Sequence, residues 1–400
     1  MSTHVQHARH STFAPEAELL LVATRTDGTG TDRLRELISG PLDWEHILEQ
    51  AGFHGVSSLV YQALNSHSET VPKDVLERLG RRSQQTATQN LRYTQELVTI
   101  LEVLEAAGID VIPYRGPVIA LDAYGEFGLR QFGDLDFLVS QEDIPAAKRV
   151  LEDRGYRPQY LLPSTSELNR AQEWAYTHLD RDYPFYNSKR NTAIELHWRI
   201  LDQRFPTKIE LEDVWDRRET TTISGREIPV LSPEDRLLML CIHGSRHHWE
   251  RLEWICDIGG FIRSHDIDWE TTLKRARSHN ALRMFLLGPM LAHTLYGTEL
   301  PESVHRLIRR DRGLNDLEWL VIDRLFSTEP VGNFELQRFQ ARTLTRRRDQ
   351  ARLLGFWMTK PRRAEIEVVA LPFALIWLYF LIRPLRLVGI WLGVIEVYED

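Results

Sequence analysis

Hydrophobic periodicity switches twice along this 400-residue chain, and the two switches constrain its fold more than any other feature. In the first hundred residues the runs TDRLRELI, DWEHILEQAGFHGVSSLVYQAL and NLRYTQELVTILEVLEAAG repeat apolar positions every three or four residues, as one face of a helix does. Gly108 stands where a helix would be capped, and IDVIPYRG then begins a stretch of short apolar and alternating runs. These are a strand, the helix PVIALDAYGEF with Pro117 in its first turn, the strand DLDFLVS, the helix EDIPAAKRVLEDRGY ending at Gly155, and the strand TAIELHWRIL. From Leu231 the helical period returns: SPEDRLLMLCIHGSRHHW offers Ser232 as N-cap, Pro233 at the first helical position and Asp235 in the first turn. The expected class is α+β, a small mixed-sheet core at 109–215 flanked by helical regions at 1–108 and 216–400.

Composition narrows the setting. With 42% hydrophobic and 26% charged residues the chain is a packed protein, not a disordered one. A formal net charge of −8 gives no reason to expect general nucleic-acid binding. Two cysteines, Cys241 and Cys256, cannot build a disulfide framework, and the amino-terminal run has no basic region ahead of a long apolar core. The expectation is a cytoplasmic protein.

Asp134 and Asp136 interrupt an apolar run two residues apart, so on a strand both face one side. Two adjacent carboxylates raise each other's pKa and oppose folding, and a divalent cation reverses that cost. Mg²⁺ prefers oxygen ligands and commonly takes one or two carboxylates, leaving its other positions to water and phosphate. The bland reading is a solvent-facing edge strand. AIELHWRI adds weight to the chemical one, because Glu195, His197 and Arg199 share a face opposite Ile194, Leu196, Trp198 and Ile200. If the two strands are neighbours, Glu195 becomes a third acid near the same ion.

These residues carry a resemblance. YRGPVIALDAYGEFGLRQFGDLDFLV resembles the first motifs of the polymerase-beta-like nucleotidyltransferase superfamily, a glycine-containing turn followed by D-x-D on the next strand. More closely, the chain is similar to a bacterial family of largely uncharacterised nucleotidyltransferases, matched here by Arg115-Gly116, Tyr124, Arg130, Asp134 to Val139, Leu196-His197-Trp198, and His243-Gly244 through His247-His248-Trp249. The resemblance implies nucleotidyl transfer from an NTP such as ATP, with Asp134 and Asp136 binding Mg²⁺, or Mn²⁺ in its place. Glu195 would be the third acid, binding a second ion or accepting the acceptor hydroxyl's proton, and Gly116 would let the backbone approach the phosphates. Arg115 would contact nucleotide, His197 would contact substrate or orient Glu195, and Arg130 would neutralise a phosphate, orient the acids through a salt bridge, or serve the structure alone. The implied acceptor is a small molecule, a peptide or a protein, in a biosynthetic role. Two departures bear on the phosphate grip: Arg115 replaces a usual lysine, and Pro117 removes an N–H that the broader superfamily keeps. They leave room for a rival expectation, a non-catalytic nucleotide-binding or scaffolding protein. Neither a Walker A run nor a glycine-rich kinase loop is present.

Three features stand outside that scheme. His243 and His247 have the i, i+4 spacing of a zinc pair, with His248 beside them, but the residues between lack the glutamate of H-E-x-x-H, so contact with nucleotide, or with the residues that hold the site, is the stronger expectation. Asp257 in WICDIGG reads as a structural salt-bridge partner. Near the C-terminus, residues 368–382 are fifteen uncharged residues interrupted by Pro372, with Arg383, Pro384 and Arg386 following. That is short for a span. The expectation is a buried or groove-docked helix, with peripheral membrane attachment as the alternative.

Overall fold

A computed structural model of the chain describes residues 13–160, 167–201, 203, 205–207, 209, 211–327 and 331–394. Packing groups the chain into two units, and neither is continuous in sequence. The first comprises residues up to Gln95, Gly116–Phe132 and Pro233–Thr343; the second comprises Glu96–Arg115, Gly133–Ser232 and residues from Leu344 on. This grouping differs from the three consecutive blocks 1–108, 109–215 and 216–400. The long helix Lys73–Ala106 contributes to both units, and the turn-and-helix stretch at 116–132 packs with helices rather than with the sheet.

The second unit holds a five-stranded mixed sheet in the order β1-β2-β5-β4-β3. Its strands are β1 (Val111–Pro113), β2 (Leu135–Val139), β3 (Arg157–Pro158), β4 (Asp182–Asn187) and β5 (Thr192–His197). β2 runs parallel to β5, whereas β1·β2, β4·β5 and β3·β4 are antiparallel. β2 therefore lies inside the sheet and is buried along its whole length, which rules out the solvent-facing edge strand. Gly108 does cap the long helix: it takes φ +73°, its N–H donates to the Glu105 carbonyl at 2.9 Å and that of Ile109 to Leu104 at 3.0 Å. The turn so formed delivers the chain to β1.

Three sheet elements escaped the sequence reading. β3 and β4 were not expected, and a separate hairpin, β6 (Glu219–Ile223) with β7 (Arg226–Val230), lies where the helical region was to begin. The hairpin turns at Ser224-Gly225, both with positive φ, the conformation that a two-residue turn needs.

The first unit is helical. Asp43 caps the helix Trp44–Phe53 by accepting from the His46 N–H at 3.0 Å, and the helix Ser57–Asn65 follows. The expected helix after Ser232 is present as Pro233–Arg246. Trp249 is fully buried, and a Cβ on Gly244 would lie 2.5 Å from its ring, so the glycine of the H-G-x-x-H-H-W run is the seat of the tryptophan. His248 and Trp249 both take positive φ, and the His248 ring lies against Phe339, 4.2 Å between centroids. The His243 and His247 rings pack on Trp254 at 5.1 and 5.6 Å. This run is a packing device, and the three imidazoles do not form a metal-ligand group among the described residues. Both cysteines are buried and free.

The C-terminal segment contradicts the expectation of a buried helix. A 3₁₀ turn, Phe373–Leu378, continues into the helix Tyr379–Trp391, and Phe373–Ile390 is long and apolar enough to be a membrane-span candidate by length and composition, yet only 17% of it is buried.

Candidate active site

Parallel pairing of β2 with β5 sets the site. Asp136 stands directly across from Glu195, and the two-residue period puts His197 on the same face. On the far side of β5, Asp182 of β4 is opposite His197 and so joins that face. The opposite face presents Phe137, Leu196 and Tyr183, all buried core residues. One end of the sheet thus carries three carboxylates and an imidazole on its polar side because the apolar members of each strand claim the other.

Distances are short. The His197 Nε2 lies 3.0 Å from Asp136 Oδ1 and 3.0 Å from Glu195 Oε2, and its Nδ1 lies 3.5 Å from Asp182 Oδ2. Potential ligand atoms of Asp136, Glu195 and His197 all fall within 4.8 Å of one another. Tyr114 meets the imidazole edge-on at 5.3 Å between centroids, and its N–H donates to the Asp136 carbonyl at 3.3 Å, carrying the β1 edge one residue further. That brings Arg115 over the acids: its guanidinium donates to Asp136 and lies 3.7 Å from Glu195. The Asp136 side chain is 2% exposed, whereas that of Glu195 is 30% exposed, so the set opens to solvent on the β5 side.

Asp134 departs from the expectation that it shares a strand face with Asp136. It precedes β2, half-buried, and does not belong to the tight trio. Its electrostatics still belong to the site: burial, then the charges of Asp136 and Glu195, push its carboxyl up to about 7. For Glu195 burial acts in the same direction, but the hydrogen bond and charge of His197, with Arg115 and Arg181, outweigh it and hold the carboxyl well below the usual range. Two acids a few residues apart in space are thereby driven in opposite directions.

Gly116 follows Arg115 at φ +58°, ψ −121°, a backbone region that effectively only glycine occupies, and turns the chain into the helix Pro117–Tyr124. Arg130 does not join the acids. Its Nε donates to Asp257 Oδ2 at 2.9 Å and its guanidinium lies 3.6 Å from Glu253, while the Tyr124 hydroxyl donates to Asp257 Oδ1 at 2.9 Å. Asp257 is thus the salt-bridge partner expected of it, and Arg130 anchors the stretch after Tyr124, whose Arg130 carbonyl accepts from Asn90 at 2.7 Å. The expected substrate role fails because the guanidinium is enclosed and neutralised. Arg199 also leaves the acid face: β5 ends at His197, and Arg199 donates to the Asp180 carbonyl at 2.9 Å and to Gln141 at 3.1 Å.

Sequence reasoning missed Asp182 and Arg363. Asp182 flanks His197 and is held by Arg363, which also donates to Asp180 at 2.6 Å. The aromatic alternation of DYPFYN was the one signal for the strand that carries Asp182. A cleft of about 1320 Å³ opens beyond the carboxyl ends of β2 and β5, lined by residues including Gln141, Trp198, Arg199 and Lys360, but none of the acids faces it.

The family sequence model described as "Uncharacterised nucleotidyltransferase" matches residues 40–297. The chain belongs to this nucleotidyltransferase family. The match takes in every residue of the acid set. Among solved structures, an antigenic nucleotidyltransferase-like protein from Paracoccidioides brasiliensis is similar over 53% of this chain and 96% of its own, at 15% identity and a TM-score of 0.30. Among curated proteins none matches.

Proposed function

We propose that this nucleotidyltransferase moves a nucleoside monophosphate from an NTP to an acceptor hydroxyl, with Mg²⁺ or Mn²⁺ as cofactor. The observation that carries the reading is the pairing of Asp136 with Glu195 across parallel strands, with His197 between them and Asp134 at the strand entrance. The donor set fits a hard divalent cation: carboxylate oxygens predominate, and the Asp134 carboxyl, raised first by burial, is raised further by the charges of Asp136 and Glu195, which a cation would neutralise. Asp136 and Glu195 would hold it, with His197 within ligand reach of both. When bound, the ion neutralises charge on the triphosphate and on the departing pyrophosphate.

The chain's own residues divide the remaining work. Glu195, held low by His197 and Arg115, is a weak base and suits a ligand's role better than a proton acceptor's. Asp134, raised to about 7 and half-buried just ahead of β2, can take the proton of the acceptor hydroxyl as that oxygen bonds to the α-phosphorus and the bond to pyrophosphate breaks. His197 fixes the two acids between which its Nε2 lies, and Asp182 places a negative charge 3.5 Å from the other ring nitrogen. Arg115 supplies positive charge at the site and can exchange Asp136 for a phosphate oxygen.

One observation favours a second reading. With Arg115 already on Asp136, and Asp136 enclosed, the site is neutralised internally, as a non-catalytic nucleotide binder would allow. Incubation with each of the four NTPs and Mg²⁺ separates the two. Pyrophosphate release that disappears in Asp136→Ala supports transfer; saturable NTP binding with no release in the presence of a broad acceptor panel supports the binder.

A further inference from the structure

The helix Tyr379–Trp391 is inside out. Its inward stripe is polar: Tyr379, Arg383 and Arg386, spaced four and three residues apart, are buried, while Leu381, Leu385 and Val388 between and beyond them are exposed. Leu381 is 52% and Leu385 71% exposed, and Trp377 in the preceding 3₁₀ turn is 58% exposed. A helix packed on a protein in water shows the reverse arrangement. Both arginines donate to one carboxylate oxygen of the fully buried Glu365, at 2.9 and 2.7 Å, and the Tyr379 hydroxyl donates to the Val369 carbonyl at 2.7 Å. The charges that would oppose contact with an apolar medium are thereby withdrawn from the outer face.

We infer that this face lies on an anionic lipid bilayer, parallel to its plane and buried to the depth of its side chains. Three observations select that occupant. First, the apolar exposure is spread around the outer sides of the helix and extends to Met358 on the neighbouring helix Arg347–Thr359, a breadth that a fluid medium covers more readily than a single groove does. Second, the run Arg346, Arg347, Arg348 is exposed at the start of that same neighbouring helix, and residues 344–400 carry nine basic against six acidic side chains in a chain whose net charge is −8. Local positive charge beside an apolar face matches anionic headgroups over hydrocarbon. Third, the buried Arg383–Glu365–Arg386 group would lie within the hydrocarbon in a span, where charge is costly. The segment therefore lies on the membrane and does not cross it. This inference does not depend on whether the acid set turns over nucleotides.

Sedimentation of the full chain with sucrose-loaded vesicles tests it, using phosphatidylcholine with 30% phosphatidylglycerol against phosphatidylcholine alone at physiological salt. The expected result is that the chain pellets with the anionic vesicles at least tenfold more strongly than with the neutral ones. The double variant Leu381→Asp/Leu385→Asp, which leaves the inward stripe intact, should lose at least tenfold in binding at an unchanged melting temperature. Arg346→Gln/Arg347→Gln/Arg348→Gln should reduce anionic binding to the neutral level. A chain that stays in the supernatant with both vesicles, binds both equally, or binds as well after the double substitution overturns the inference. So does a stable dimer that Leu381→Asp dissolves and that no vesicle disrupts, since the face would then cover a second copy.

Discussion

Each unit of this protein holds a cluster of buried charge, and the two clusters are alike in composition but opposite in access. In the helical unit Arg130 faces Asp257 and Glu253, with side chains 8%, 0% and 6% exposed. In the sheet unit Arg115 faces Asp136 and Glu195, and here Glu195 is 30% exposed with half-buried Asp134 nearby. Both clusters raise a carboxyl, Glu253 to about 8 and Asp134 to about 7, and in both burial is the leading cause. A perturbed acid is therefore no marker of chemistry by itself. What distinguishes the sheet cluster is that its acids converge on a point reachable by solvent, whereas those of the helical cluster converge on Arg130 and are closed off from solvent.

Substitutions should separate the clusters sharply. The largest effect is expected for Asp136→Asn, with NTP turnover falling on the order of a thousandfold, measured as pyrophosphate release, because a ligand to the transferred phosphate's counter-charge is lost. Arg130→Ala should act on the fold instead. Leaving Asp257 and Glu253 buried without their cation costs about 3–5 kcal/mol in denaturant unfolding, while turnover per folded molecule stays unchanged. A matching loss of turnover at full stability in Arg130→Ala would break the contrast.

Smaller effects sharpen it. His197→Gln removes the group between Asp136 and Glu195, and divalent-ion affinity should fall about 10–100-fold by titration calorimetry with Mn²⁺ in the presence of a non-hydrolysable NTP. The pH dependence of melting is the mildest test. An acid with a raised folded-state pKa binds protons in the folded chain that the unfolded chain has released, so stability declines as pH rises from the unfolded value of about 4 to the folded one. Asp134 should contribute a decline up to about pH 7 that Mg²⁺ abolishes and Asp134→Asn removes, whereas Glu253 should contribute one up to about pH 8 that Mg²⁺ leaves intact.

The acid set was legible because strand periodicity is so rigid: two-residue spacing alone puts Glu195 with His197, and the D-x-D run marked the partner strand. That the two strands pair side by side is a long-range fact, reached before the structure only through family resemblance. Asp134 was misread because β2 begins at Leu135, one residue after it, and strand ends are set by neighbours rather than by composition. Arg130 was misread for a related reason: its distance of four residues from Asp134 says nothing about a helix more than a hundred residues later that supplies Asp257. The hairpin at 219–230 carried its signal in Ser224-Gly225 between alternating runs, and the weight of helical pattern after Leu231 hid it. The C-terminal helix was judged by its interrupted length, which argues correctly against a span but is silent on which side its arginines would face.

Manganese titration of the wild-type chain and of Asp136→Asn, followed by electron paramagnetic resonance with ATP present, tests the central claim most directly. The account predicts bound Mn²⁺ in the wild type that the substitution releases, with the thermal stability of both proteins intact. Equal Mn²⁺ binding by the two would contradict it, because the ion would then lie somewhere other than between β2 and β5.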